Sequence, residues 1–280
     1  MKIQKKIQVI ATLLIILVSS CGIHREQNKT FSFVQITDPQ FGFFSNNNGF
    51  KEEVLLYEKA VTKINMLNPA FVVITGDLVN DRSNKSQWDE FRRITSLIKP
   101  EIKVYLTPGN HDVGQNPEKK DIDYYKSMFG NDRFSFEFDN CRFIGFNSCL
   151  VKAETPGLEE EQFEWLEKEL AAASGARQIM LFCHYPFFLK DPMEPENYSN
   201  IKPESRQKYL SLFSRYGVDA LLSGHLHNNA SGTFDKTEMI TTAAVGKPLA
   251  GVPSGLRIIK VSEEVYKHQY FPLDSVRVLK

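Results

Sequence analysis

Apolar and polar residues alternate through Phe31-Ser32-Phe33-Val34-Gln35-Ile36, which predicts a strand ending in Thr37-Asp38-Pro39-Gln40. Val54, Tyr57, Val61 and Ile64 then recur at helical spacing until Asn68-Pro69 stops them. Ala70 to Ile74 is a continuous apolar run, the pattern of a strand covered on both faces, and it delivers Gly76-Asp77. Ser86 to Ile98 has helical period, and Val104-Tyr105-Leu106 is a third strand leading into Pro108-Gly109-Asn110-His111-Asp112. Strands and helices in alternation predict a parallel-rich sheet with helices outside, an α/β fold.

The second half repeats the theme with variations. Phe134 to Phe138 and Arg142 to Phe146, separated by Asp139-Asn140, read as a hairpin. Pro156 to Ala173 contains a helix whose inner side is marked by Leu158, Gln162, Trp165, Leu166 and Leu170. Ile179 to Cys183 is a strand delivering His184-Tyr185-Pro186. Asp191 to Pro203 has three prolines and no periodicity, which suits a substrate-side loop or lid. The helix Ser205 to Tyr216 leads into the apolar run Val218 to Leu222, which delivers Ser223-Gly224-His225-Leu226-His227. Beyond it, Gly232 to Phe234, Met239 to Ala244, Leu256 to Val261 and Val265 to Phe271 are short strands expected to run antiparallel and complete a second sheet.

At 280 residues and 42% hydrophobic content the chain can bury one large core. Its beginning has a different composition. Met1 to Lys6 carries three lysines and no acid, Ile7 to Val18 is almost wholly apolar, and Val18-Ser19-Ser20-Cys21 closes the segment. A dozen apolar residues fall short of the roughly 20 that span a bilayer, so residues 1–20 read as a signal peptide. The Ser-Ser-Cys junction resembles the lipobox of bacterial lipoproteins, which implies cleavage before Cys21, its lipidation, and a body tethered to a bacterial envelope membrane, periplasmic or surface-facing, by residues 21–30. Acyl chains contribute about 0.8 kcal/mol per buried methylene, so several on one residue anchor firmly. The alternative is a secreted protein in which Cys21 is a passenger. Removing residues 1–20 takes away Lys2, Lys5 and Lys6, leaving 31 basic against 34 acidic residues and a net charge of −3. With no cationic surplus to displace counterions, nucleic acid is not an expected partner. If Arg142 to Ser148 is one extended strand, Cys141 and Cys149 are far beyond bridging distance, so these and Cys183 are expected to be buried free thiols.

The chemistry sits where strands end. Four of the six histidines, His111, His184, His225 and His227, lie there beside Asp, Asn or Gly, whereas His24 and His268 do not. Open α/β sheets bind ligands beyond the carboxyl ends of their strands, so Asp38, Gln40, Asp77, Asn110, His184, His225 and His227 are expected to converge on one crevice. Carboxylate, amide and imidazole without thiolate suit Mn, Fe or Zn, and seven donors exceed the needs of one four-coordinate ion, which implies two metal ions. Such a pair activates a water and clamps the attacking and leaving oxygens of a phosphoryl displacement.

Asp38-x-Gln40, Gly76-Asp77, Gly109-Asn110-His111-Asp112, His184 and Gly224-His225-x-His227, in this order, resemble the motif set of the calcineurin-like metallophosphoesterases. The Asp38-Pro39-Gln40-Phe41-Gly42 form is similar to a branch of animal serine/threonine phosphatases. The likeness extends to Leu67-Asn68-Pro69, Phe134-Ser135-Phe136, Asn147-Ser148, Tyr198 with Arg206, and Gly255-Leu256-Arg257. It covers residues 31–274, leaving 275–280 as a tail. The resemblance implies an α/β sandwich of two mixed sheets flanked by helices. It also implies that Asp38, Gln40 and His227 bind a first ion, that Asp77 bridges, and that Asn110, His184 and His225 complete a second. Once Asn110 fills that ligand role, His111 is not needed as a ligand and is expected to serve as general acid or phosphate donor, with Asp112 orienting it or raising its basicity. Gln40 stands where most of the superfamily has histidine. The implied activity is hydrolysis of a phosphoester substrate, a phosphomonoester and by the branch a phosphoprotein. A phosphodiesterase is the runner-up, and a non-catalytic envelope binding lipoprotein is the alternative from another class. Tyr198 and Arg206 are within the set that could reach a substrate phosphate, and Phe41, Phe43, Phe44, Tyr185, Phe187 and Phe188 could wall its crevice.

Overall fold

The computed structural model describes residues 30–263 and 265–276; the leader, Cys21 and the last four residues of the tail lie outside them. In chain order the first half comprises β1 (Phe31–Ile36), α1 (Lys51–Leu67), β2 (Phe71–Thr75), α2 (Lys85–Thr95), β3 (Lys103–Thr107), α3 (Asn110–Val113), α4 (Lys119–Phe129), β4 (Phe134–Phe138) and β5 (Cys141–Gly145). The second half continues with α5 (Ser148–Ala153), α6 (Leu158–Ala172), β6 (Gln178–Phe182), α7 (Pro203–Tyr216), β7 (Ala220–Ser223), β8 (Ala230–Phe234), β9 (Thr237–Thr241), β10 (Gly255–Val261) and β11 (Tyr266–Pro272).

The helices stop and start where the sequence supplies the chemistry. Asn68 takes a left-handed conformation and its N–H closes on the Ile64 carbonyl, ending α1 ahead of Pro69. Asn84 caps α2 by accepting from the Ser86 N–H, Pro203 opens α7 and Gly217 closes it. The hairpin turn Asp139-Asn140 has positive φ at both residues, matching the twist of β4 and β5.

Two mixed sheets face one another, ordered β11-β10-β1-β2-β3 and β4-β5-β6-β7-β9-β8. Odd positions of β1 and β2 (Phe33, Phe71, Val73) and even positions of β6 and β7 (Met180, Phe182, Ala220, Leu222) meet between the sheets. The opposite faces (Val34, Ile36, Val72, Ile74; Leu181, Leu221) pack under helices, against Tyr57, Val61 and Ile64 on one side and Leu166, Leu170, Tyr209 and Phe213 on the other.

Four features depart from the sequence pattern. The last strands do not all join the second sheet: β10 pairs antiparallel with β1 and carries β11, while β9 runs parallel to β7. α4 was not legible, since only Ile122 and Tyr125 of it are buried. Trp165 is only partly buried, with the Arg133 guanidinium stacked over it. β5 ends at Gly145 and Cys149 belongs to α5, so the extended-strand premise does not hold, although Cys141, Cys149 and Cys183 are indeed buried and free.

Candidate metal centre

Asp38, Asp77, Asn110, His184, His225 and His227 come together beyond the carboxyl ends of β1, β2, β3, β6 and β7, and Gln40 lies beside Asp77 on the continuation of β1. The β1–β2 ladder does not stop where the strands do. Asp38 N–H donates to the Gly76 carbonyl (3.1 Å), Gln40 N–H to the Asp77 carbonyl (2.9 Å), and Phe41 bridges Val79. Within this continuation the chain turns into the left-handed region at Asp38, Gln40 and Asp77, and again at His225 and His227. Five of the seven donors thus hold a backbone conformation that costs a non-glycine residue of order 1–3 kcal/mol, a concentration typical of functional sites. Close approach is enabled by glycine: a Cβ on Gly224 would overlap the Thr37 hydroxyl and crowd Asp38 Oδ2 (2.7 Å), and one on Gly109 would overlap Asp77.

Each imidazole is anchored by one nitrogen. His184 Nδ1 lies 2.9 Å from the Thr75 carbonyl, His225 Nε2 3.3 Å from the Tyr198 carbonyl, and His227 Nδ1 2.5 Å from the Lys247 carbonyl. A carbonyl only accepts, so the anchored nitrogen carries a proton, and in the neutral ring that binds a cation the other presents its lone pair. Those free nitrogens all turn inward. His184 Nε2 lies 3.3 Å from Asp77 Oδ2, 3.1 Å from Asn110 Oδ1 and 3.2 Å from His225 Nδ1. His227 Nε2 lies 3.5 Å from Asp38 Oδ1.

The oxygen donors are oriented in the same way. Asp38 Oδ2 accepts from the Thr37 hydroxyl (2.6 Å) and the His225 N–H (3.0 Å), which leaves Oδ1 buried with no hydrogen bond. Gln40 Nε2 donates to Asn80 Oδ1 (3.2 Å), which leaves Oε1 buried and without a partner. Asp77 Oδ1 accepts from the His111 N–H (2.8 Å). Buried orphan oxygens and mutually facing imidazole lone pairs are what a cation satisfies, so these residues fit a metal site. Asp77, His184 and His225 offer ligand atoms within 4.8 Å of one another. The charges are strongly interacting. Burial alone would lower His184, but the Asp77 carboxylate raises it to about 9, while burial and the neighbouring His184 push His225 down to about 3. Burial would raise Asp77, yet His184 and His111 hold it below the ordinary carboxylate range; Asp38, where burial dominates over His227, is raised.

Asp112 does not orient His111. Its buried carboxylate accepts from the N–H groups of Leu78 (2.8 Å) and Gly109 (2.7 Å), so it fastens the β2 and β3 loops together. The residue that orients His111 is Asn80, whose carbonyl lies 2.8 Å from Nδ1. Asn80 was missed, although it also sets the amide of Gln40; its only sequence signal is its place three residues after Asp77. Arg206 is likewise corrected: it is 1% exposed and spends its guanidinium on backbone carbonyls. Phe41, Phe187 and Phe188 are core residues, whereas Tyr185, though buried, lies against His225 and His184 with ring centroids 4.2 and 5.4 Å apart, Phe43 packs on His227 at 5.0 Å and Phe44 is 36% exposed.

Comparison with known proteins agrees with this geometry. The family model of calcineurin-like phosphoesterases matches residues 31–229. Serine/threonine-protein phosphatase CPPED1 of Rattus norvegicus is 34% identical over 271 residues, covering 90% of this chain and 87% of that protein. The chain belongs to the calcineurin-like phosphoesterase family. Among solved structures, purple acid phosphatase PPD1 from yellow lupin shares the fold with a TM-score of 0.70 at 17% identity, covering 90% of this chain and 53% of that one. A dimetal phosphatase from Danio rerio does so at 0.55 and 16% identity, covering 87% and 99%. As a calcineurin-like phosphoesterase the chain is a phosphoester hydrolase, and divalent metals in a dinuclear site are the family's cofactors.

Proposed function

We propose that this calcineurin-like phosphoesterase hydrolyses phosphomonoesters, with phosphoserine or phosphothreonine in proteins as the substrate class. The observation that carries the reading is the set of three imidazoles, each pinned by one N–H to a carbonyl, with the other nitrogens of His184 and His225 turned toward one another and toward Asp77 and Asn110 oxygens and that of His227 toward Asp38 Oδ1. The 34% identity to a serine/threonine phosphatase supports the substrate class. Asp38, Gln40 and His227 would hold one Mn, Fe or Zn ion, Asn110, His184 and His225 the other, and Asp77 would touch both. When bound, such a pair supplies Lewis acidity and a lowered water pKa. His111 Nδ1 is committed to the Asn80 carbonyl, so Nε2 is the nitrogen left for substrate. As a water oxygen bonds to phosphorus and the bond from phosphorus to the ester oxygen breaks, His111 acts as the acid and gives a proton from Nε2 to the departing alkoxide, and the water oxygen leaves within the phosphate product. The Ser-Ser-Cys junction supports a further reading, attachment of the enzyme to a bacterial envelope through lipidated Cys21.

The test is a single preparation loaded with Mn, assayed on nitrophenyl phosphate, its bis-ester and a phosphoserine peptide, with metal counted by elemental analysis. The monoester and peptide should turn over and the bis-ester should lag. Faster bis-ester hydrolysis would move the assignment to a phosphodiesterase. His111→Ala should keep its metal and lose about 10²- to 10⁴-fold in kcat; full activity would remove His111 from the mechanism.

A further inference from the structure

The 189–201 segment has no helix or strand, yet it is fastened from three sides. Buried Arg206 donates Nη1 to the Pro192 and Glu194 carbonyls (both 2.7 Å), and Nε and Nη2 to the Ile201 carbonyl (3.2 and 2.7 Å). The Glu194 carboxylate accepts from the N–H groups of Leu189 (2.8 Å), Lys190 (3.2 Å) and Asp191 (3.3 Å), and from Asn200 Nδ2 (2.8 Å). Lys152 donates to the Asn197 and Asn200 carbonyls (2.8 and 2.7 Å). A buried guanidinium and a carboxylate devoted to the backbone of one loop fix its shape, because freeing any part of it would strand buried polar groups. The lid expected from the sequence is therefore a rigid arm.

What the arm presents is Tyr198. Its carbonyl takes the His225 Nε2 proton, and its ring centroid stands 4.9 Å from that of His225, while the residue is still 61% exposed. Its hydroxyl is aligned by a relay. Tyr185 donates to Gln115 Oε1 (2.9 Å), which assigns the Gln115 amide and leaves Nε2 to donate, at 3.4 Å, to the Tyr198 oxygen. With its oxygen already accepting, the phenol has its own O–H to give. It stands at the edge of the site, beside the ligand histidine and on the same arm that anchors that histidine.

We propose that the Tyr198 hydroxyl donates a hydrogen bond to a phosphoryl oxygen of the bound substrate, so that Tyr198 is a further substrate-contacting residue carried on a fixed arm. The proposal rests on the phosphoester reading above. Tyr198→Phe keeps the ring and the carbonyl on His225, so metal content should equal wild type. Orthophosphate binding to the Mn-loaded protein, measured by calorimetry, should weaken about 10- to 100-fold, the range of a hydrogen bond to a charged group, and kcat/KM for nitrophenyl phosphate should fall with it. Unchanged orthophosphate affinity in Tyr198→Phe overturns the proposal, as does weakening in Tyr198→Ala alone, which would leave only a ring contact. Lost metal in Tyr198→Phe would also overturn it, making the hydroxyl a support for His225. If wild type binds orthophosphate but hydrolyses no monoester, the function fails while Tyr198 is still decided by the binding comparison. No orthophosphate binding by wild type overturns both.

Discussion

The space between the two sheets has an apolar end and a polar end, built on the same strand faces. On β1 the interlayer face reads Phe31, Phe33, Gln35, Thr37; on β2 it reads Phe71, Val73, Thr75, Asp77; on β6 it reads Met180, Phe182, His184. At the amino ends aromatic rings fill the gap, with Phe33 stacked on Phe71 (4.7 Å) and Phe143 edge-on to both (5.5 and 4.9 Å). Two residues further on, Gln35 reaches across the gap from complete burial. It donates to Thr75 Oγ1 and the Ser223 carbonyl (both 3.0 Å) and accepts from the Thr242 hydroxyl (2.7 Å), which in turn accepts from Arg257 Nε (2.7 Å). Thr75 and Ser223 stand two residues before Asp77 and His225. The apolar end therefore holds the sheets together without fixing a direction, and the polar end sets the register of the ligand-bearing strand ends through directional bonds.

That division predicts unlike mutants. Phe143→Ala should cost about 3–5 kcal/mol in urea denaturation, the range for emptying an aromatic site in a core, while each folded molecule keeps its metal. Gln35→Met has similar volume and should cost less, about 1–3 kcal/mol for the polar partners it strands. It should nevertheless weaken metal binding in a titration, because the strand ends carrying Asp77 and His225 lose their common tie. Equal metal affinity in the two variants, once corrected for unfolded protein, would break the comparison.

The two ends also differ in how far a sequence reveals them. Alternation in β1 and the unbroken runs of β2 and β6 expose the apolar end, because burial leaves a period in the chain. The donors were legible as well, since Asp38, Asp77, His184, His225 and His227 are unusual residue types to find at strand ends. Their supports were not. The anchors of His184, His225, His227 and His111 are the carbonyls of Thr75, Tyr198, Lys247 and Asn80, and a carbonyl is common to every residue type, so nothing marks these four. Asp112 misled for the complementary reason: adjacency to His111 in the chain suggested a pair, but α3 turns the two side chains apart and gives the carboxylate to backbone N–H groups of Leu78 and Gly109. The pairing of β10 with β1 is a contact between distant segments, and no local period encodes it.

At the edge of the interlayer a third kind of link joins the sheets, and it supplies the smallest effect. Glu238 on β9 of the second sheet faces His268 (3.0 Å) and Tyr266 (2.9 Å) on β11 of the first, and His268 also meets Arg257 (2.8 Å). The hydrogen bond from His268, with help from Tyr266 and against partial burial, holds the Glu238 carboxyl below its ordinary value. A carboxylate lowered in the folded state stabilises it above the unfolded pKa of about 4.3, and that contribution fades as pH falls through the lower folded value. The group is more than a third exposed, so solvent screening keeps the term small. Glu238→Gln should therefore lower the unfolding midpoint slightly at pH 7 and leave the midpoint closer to wild type at pH 3, with no change in metal content at pH 7. A variant deficit that stayed constant from pH 7 to pH 3 would show that the link is held by packing of β11 and not by the charge. Metal loss at pH 7 would instead carry the polar end's influence out to the sheet edge, through the Arg257 and Thr242 bonds to Gln35.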